Sequence, residues 1–393
     1  MTLGQHFLDD ALLQRGRALR LNLPAILTLL ITLGAIAAAH QHTNPALPAS
    51  RVARIEEAVT AFMARVDAPG LSLAIGMDGR TEFENGYGLA DIENFVPAKA
   101  TTVYRLASVS KPITAVAIMQ LVERGRLTLE DTVGKWLPDV PAALRPITVR
   151  QLLSHQSGIR HYTPQEDDSS KHYPQHYASL RDALAIFTND ALVHAPGTKM
   201  TYSTYGYTLL GVIIEEASGQ DYVDFVSETI FRPLRMMHSR PDDPHAIVPN
   251  RSPGYAKTDA GALRNAGFMD PSYKIPGGGW LSTGGDMVRF GLALQAGTLL
   301  KPESFQQMTA MQRAGDKADT FYGLGWIVEG WGIPDAPRVP GLVWHGGVQQ
   351  GVTANLYMLL PERTVVAVMT NLEGEGLALT KLASEITNIV TGR

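Results

Sequence analysis

Hydrophobic positions along the chain fall into blocks whose spacing sets out the elements. An uncharged run begins at Leu21 and continues through residues 21–39, and a polar stretch holding Pro45 and Pro48 (residues 40–50) separates it from the rest. Val52, Ile55, Val59, Phe62 and Val66 then recur at three- and four-residue intervals, which predicts an amphipathic helix ended by Pro69-Gly70. Leu71, Leu73, Ile75 and Met77 alternate with small residues as a strand does. Asp78-Gly79 is a hairpin turn signal before a second strand near residues 81–87.

An extended approach through Val103 and Tyr104 leads to a second helical pattern, in which Ile113, Val116, Ala117, Met119, Gln120 and Leu121 keep one face apolar. Pro112 sits in its first turn or two and Gly125 suits its C-terminal end. Residues 126–275 read as helix and loop. Leu209, Leu210, Val212, Ile213 and Ile214 predict a buried helix ending at Ser218-Gly219. Strand-like runs return at residues 322–328, 342–345, 352–359 and 364–370, and a last helix covers roughly residues 377–390. The order helix, hairpin, helical middle, late strands, helix predicts an α/β (α+β) fold. An antiparallel sheet pairs the late strands with the early hairpin and is flanked by helices, and residues 126–275 form a separate helical lobe.

Composition narrows the function classes. At 393 residues, with 45% hydrophobic and 18% charged positions, the chain is long enough for one large globular body at residues 51–393. A net charge of −4 without basic blocks argues against nucleic acid as a partner. The absence of cysteine excludes disulfides, a thiolate zinc site and a cysteine nucleophile. Arg15, Arg17 and Arg20 before the apolar run, and Ala37-Ala38-Ala39 at its end, read as a signal peptide or an uncleaved membrane anchor behind a cytosolic segment, residues 1–20. Either reading exports the body.

The candidate chemistry lies at Ser108-Val109-Ser110-Lys111. On a helix, Ser108 and Lys111 stand one turn apart on one face. A serine hydroxyl becomes a good nucleophile when a base takes its proton, and a lysine becomes that base when burial lowers its pKa. No serine is flanked as Gly-x-Ser-x-Gly, which excludes a nucleophile elbow. Tyr202-Ser203-Thr204, at the end of the helical middle, and His345-Gly346-Gly347, on a late strand, stand where a Ser-x-x-Lys site needs its second and third polar elements. His172 and His176 are four apart but lack a third ligand, so that polar segment reads as a solvated loop or cleft rim, with no metal. Gly277-Gly278-Gly279 lacks a phosphate-loop ending and reads as close backbone packing or a cleft wall. His155 reads as structural. Tyr162 and Trp280 line the cleft or pack as core aromatics.

Residues 105–115, 152–158, 196–206, 277–283 and 345–347 occur in the order found in the serine β-lactamase-related family, which the chain resembles over roughly residues 52–390. That family includes class C β-lactamases of the penicillin-binding protein type, D-alanyl-D-alanine carboxypeptidases and related esterases. Residues 157–162 and 202–210 are most similar to its mitochondrial members. The resemblance implies a β-lactamase/transpeptidase-like fold and a serine hydrolase that cleaves a small peptide, amide or ester through an acyl-serine, without a cofactor. A peptidase of the carboxypeptidase kind is favoured, with an esterase or a class C-like β-lactamase next. It implies Ser108 as nucleophile and Lys111 and Tyr202 as a coupled pair sharing its proton. His345 stands where many relatives carry lysine, and backbone N–H groups of Ser108 and Val348 form the oxyanion hole. Thr204, Gly346 and Gly347 contact substrate. Thr204 replaces an asparagine, His345 makes the local charge pH-dependent near neutrality, and Gly346 removes a hydroxyl, which together weaken carboxylate recognition. The mitochondrial members are associated with filament assembly, so a homo-oligomeric scaffold is the alternative of another class, and the mitochondrial intermembrane space the alternative location to the periplasm.

Overall fold

The computed structural model of the chain describes residues 47–166, 173–315, 318–329 and 338–393. The apolar run at residues 21–39 lies outside them, as does His172. Among the described residues no helix is long and apolar enough to cross a membrane.

The first helix, α1 (Ala49–Val66), buries Ile55, Val59, Phe62 and Val66, the stripe its spacing predicts, and ends on Asp67 at φ 49°. Strands β1 (Gly70–Met77) and β2 (Arg80–Asp91) follow as a hairpin whose two turn residues, Asp78 and Gly79, both have positive φ (48° and 80°). A short β3 (Val96–Pro97) pairs with β2. Next come helices α2 (Ser110–Glu123), α3 (Thr204–Ser218) and α4 (Gly284–Gln295). The chain closes with β4 (Ile327–Val328), β5 (Leu342–Gln349), β6 (Val352–Leu359), β7 (Thr364–Thr370) and helix α5 (Gly376–Thr391). The seven strands form one sheet in the order β4-β5-β6-β7-β1-β2-β3, and every pairing is antiparallel.

Period-two alternation divides the sheet's side chains between two layers. Leu71, Leu73, Ile75, Val366 and Val368 face α1 and α5. Ala74, Leu356, Met358, Val365 and Ala367 share the opposite cluster with Val288 and Leu292 of α4. Because both faces are covered, β6 and β7 are buried along their whole length. Gly76 lets α4 close on the sheet, since a Cβ there would lie 2.6 Å from Val288.

One expectation is corrected. Helix α2 is buried on every side from Ser110 to Leu121 instead of along one stripe, because it runs between the sheet layer and the helical residues. Residues 126–275 share their core with the rest of the body: Val116 and Leu121 of α2, Leu209 and Ile213 of α3 and Val288 of α4 belong to one continuous apolar cluster. A small antiparallel sheet of Tyr104–Arg105, Trp280–Ser282 and Arg240–Pro241 ties the middle of the chain to the approach to Ser108. His176 is not helical. Its Nδ1 lies 2.8 Å from Asp270, and no group of described residues is suited to hold a metal.

Candidate active site

Ser108 stands in a single 3-10 turn (Ala107–Val109) in front of α2, where the helical spacing predicts it inside the helix. Ala107 has φ 46°, a left-handed conformation that costs a non-glycine residue about 1–2 kcal/mol. Its surroundings hold it there. Leu106 N–H donates to Trp280 O (2.8 Å) and Val109 N–H to Leu106 O (3.1 Å). Strand β5 lies against the turn so closely that a Cβ on Gly347 would come within 2.4 Å of Leu106 O and 2.8 Å of Ser108 N. Strand β4 pairs only with Val343 and Trp344, so among the described residues no strand pairs with that edge of β5 from His345 onward.

Lys111 is fully buried. Its Nζ lies 3.0 Å from Ser108 Oγ, 3.1 Å from Thr204 Oγ1 and 2.7 Å from Gly277 O. Burial first, and the charge of Lys274 second, hold its pKa well below the usual lysine value, so the amine is favoured. A neutral amine has two hydrogens and one lone pair. The Gly277 carbonyl can only accept and takes one hydrogen, while the Ser108 and Thr204 hydroxyls, each able to donate or accept, meet the other hydrogen and the lone pair. The glycine run was legible as close packing, and Gly277 does need to lack a side chain, because a Cβ would lie 2.6 Å from Thr204 Cγ2. Its carbonyl as a lysine partner was not legible.

The Tyr202 ring lies 4.7 Å from Lys111 Nζ. Burial raises the tyrosine's pKa, offset in part by its hydrogen bond with Ser108, so the phenol is favoured. The lysine and tyrosine are therefore both favoured in their neutral forms.

His345 departs furthest from expectation. It is buried on β5, with Nδ1 2.7 Å from Gly346 O and Nε2 2.9 Å from Tyr322 Oη. A carbonyl only accepts, so Nδ1 carries the proton and Nε2 accepts from Tyr322. Burial lowers its pKa to about 3, away from the expected charge that varies near neutrality. Both nitrogens are engaged inside the protein. Thr204 spends its hydroxyl on Lys111 and is itself buried. A Cβ on Gly346 would point toward Trp344 and Asn355. Val348 follows Gly347 on the strand and is 48% exposed.

Three neighbours escaped the sequence reading. Lys274 is buried, its Nζ 5.4 Å from the rings of both Tyr162 and Tyr273. Tyr322 locks His345. His161 accepts from Thr204 N–H through Nδ1 (3.3 Å). Their positions depend on long-range packing that no local pattern records.

Known proteins share sequence and fold with this chain. The family described as Beta-lactamase matches residues 55–387. The serine beta-lactamase-like protein LACTB, mitochondrial, of Homo sapiens is 33% identical over 324 residues, covering 65% of this chain and 59% of that protein. Penicillin-binding protein 4* of Bacillus subtilis (strain 168) is 29% identical over 308 residues, covering 74% and 65%. The chain thus spans less than two thirds of the length of either relative. Among solved structures, the octameric penicillin-binding protein homologue from Pyrococcus abyssi superposes with a TM-score of 0.75 at 26% identity, covering 87% of this chain and 78% of that one. The D-amino acid amidase from Ochrobactrum anthropi SV3 superposes at 0.74 and 22% identity, covering 88% and 99%, a likeness of fold alone.

Proposed function

Since the chain belongs to the Beta-lactamase family, we propose that it is a serine hydrolase that cleaves an amide or ester bond through an acyl-Ser108 intermediate. The observation that carries this reading is the buried Lys111 Nζ, 3.0 Å from Ser108 Oγ and held in place by Thr204 Oγ1 and the Gly277 carbonyl. Ser108 Oγ attacks the carbonyl carbon as its proton passes to Lys111. Backbone N–H groups of Ser108 and Val348 receive the oxyanion. As the tetrahedral adduct collapses, Tyr202 gives its proton to the departing amine or alkoxide and is reprotonated at the expense of the Lys111 ammonium. Water then attacks the acyl-serine by the reverse route, so no proton is gained or lost over a turnover.

The acyl donor we favour is a small peptide or amide that binds without a carboxylate contact at residues 345–346. The neutral, fully engaged His345 and the absence of a hydroxyl at Gly346 support that choice. An ester is the next substrate in line. Export of the body, read from Arg15, Arg17, Arg20 and the apolar run at residues 21–39, belongs to the same proposal. The test is intact-protein mass after treatment with a fluorophosphonate. We expect one adduct on the parent and none on Ser108→Ala. Well-folded parent protein that acquires no adduct would refute the proposal.

A further inference from the structure

His155 brackets Tyr202 on both sides along the chain. Its carbonyl accepts from Thr201 N–H (2.8 Å) and its Nδ1 from Ser203 N–H (3.1 Å). Its ring centroid lies 4.3 Å from that of Tyr202. His161 repeats the arrangement one residue on: Nδ1 accepts from Thr204 N–H (3.3 Å) and its ring meets Tyr202 edge-on at 5.2 Å. Ser203 is the N-cap of α3 and Thr204 its first residue, so the two imidazoles occupy N–H groups that a helix start leaves without helical partners.

A backbone N–H can only donate. The Nδ1 atoms of both rings therefore carry lone pairs, and each neutral ring holds its proton on Nε2. His155 is fully buried at φ 59°, and its Nε2 has no hydrogen-bond partner among the described residues. An apolar residue would fill that space without an orphaned donor, and glycine or asparagine would tolerate the backbone better. An imidazole here carries both penalties, which calls for a role that packing does not supply.

We propose that His155 and His161 are positioning residues that act through Tyr202, their Nδ1 atoms fixing the 201–204 backbone and their rings fixing the phenol's direction toward Ser108. This rests on the acyl-serine reading above. Asparagine at 155 places Oδ1 where Nδ1 now accepts and suits the left-handed backbone, whereas leucine removes the acceptor.

The test is the rate constant for fluorophosphonate labelling of Ser108 in the full chain, with folding checked by thermal melting. His155→Leu should slow labelling about tenfold or more, and His155→Asn should restore most of it. In a Tyr202→Phe background, His155→Leu should cause no further slowing, because its effect passes through the missing hydroxyl. The half-buried His161 offers His161→Ala as a second variant should His155→Leu fail to fold, with the same slowing and the same loss of effect in the Tyr202→Phe background. Labelling at the parent's rate in folded His155→Leu or His161→Ala, an asparagine variant as slow as leucine, or full additivity with Tyr202→Phe would each overturn the proposal. A parent that is never labelled would instead refute the acyl-serine reading beneath it.

Discussion

At the scale of single residues, the site is a set of ionisable groups that burial holds neutral. Lys111, His345 and His161 are all driven toward their uncharged forms, and Tyr202 is kept as the phenol. For the histidines this has a consequence for stability. His345 and His161 each have a folded pKa near 3, against an ordinary value of 6.5. The unfolded chain therefore binds more protons between those two values. Their contribution to stability is complete above about pH 6.5 and is lost as pH falls toward 3. His345→Gln should flatten the melting temperature's dependence on pH across that window, and an unchanged slope would show that His345 is not held neutral. Ser108, Lys111 and Tyr202, which spacing and order single out in the sequence, lie together in the fold. The state of His345 was not legible in the sequence, because it is set by Tyr322, 23 positions earlier in the chain.

At the scale of elements, helical spacing read α1, alternation and a turn signal the β1–β2 hairpin, and continuous apolar runs β6 and β7, and α5 too was placed nearly to its ends, since each carries its signal in its own residues. The same reading failed where tertiary contacts decide. β5 runs on through the glycines to Gln349, and Ser108 sits in a 3-10 turn instead of the α-helix that follows it. Both departures meet at Gly347. Gly347→Ala must push β5 away from the Ser108 turn, a rearrangement of about 1–3 kcal/mol, and should lower the labelling rate at Ser108 severalfold or more. Gly79→Ala is the matched control. Nothing lies within 4 Å of its Cβ position, so its positive φ alone should cost about 1–2 kcal/mol in melting with labelling unchanged. Equal effects of the two variants on labelling would remove the case for close packing at the nucleophile.

At the scale of the whole molecule, one sheet covered on both faces carries a continuous core into the helical residues, and the site lies where α2, α3, the glycine run at 277–279 and β5 converge. Export makes a prediction of its own. Residues 1–50 fused to a reporter that is active only outside the bacterial cytoplasm should switch it on in a bacterial host, and a silent but expressed fusion would contradict export. The central claim concerns Lys111 as the neutral base for Ser108, and the pH dependence of the Ser108 labelling rate tests it most directly. A base acts when deprotonated, so the rate should rise with pH and level off at a midpoint well below 10.5. Lys111→Met, correctly folded, should lose both the rate and its pH dependence. A rate that climbs only near the ordinary lysine pKa, or one that survives in Lys111→Met, would contradict the account.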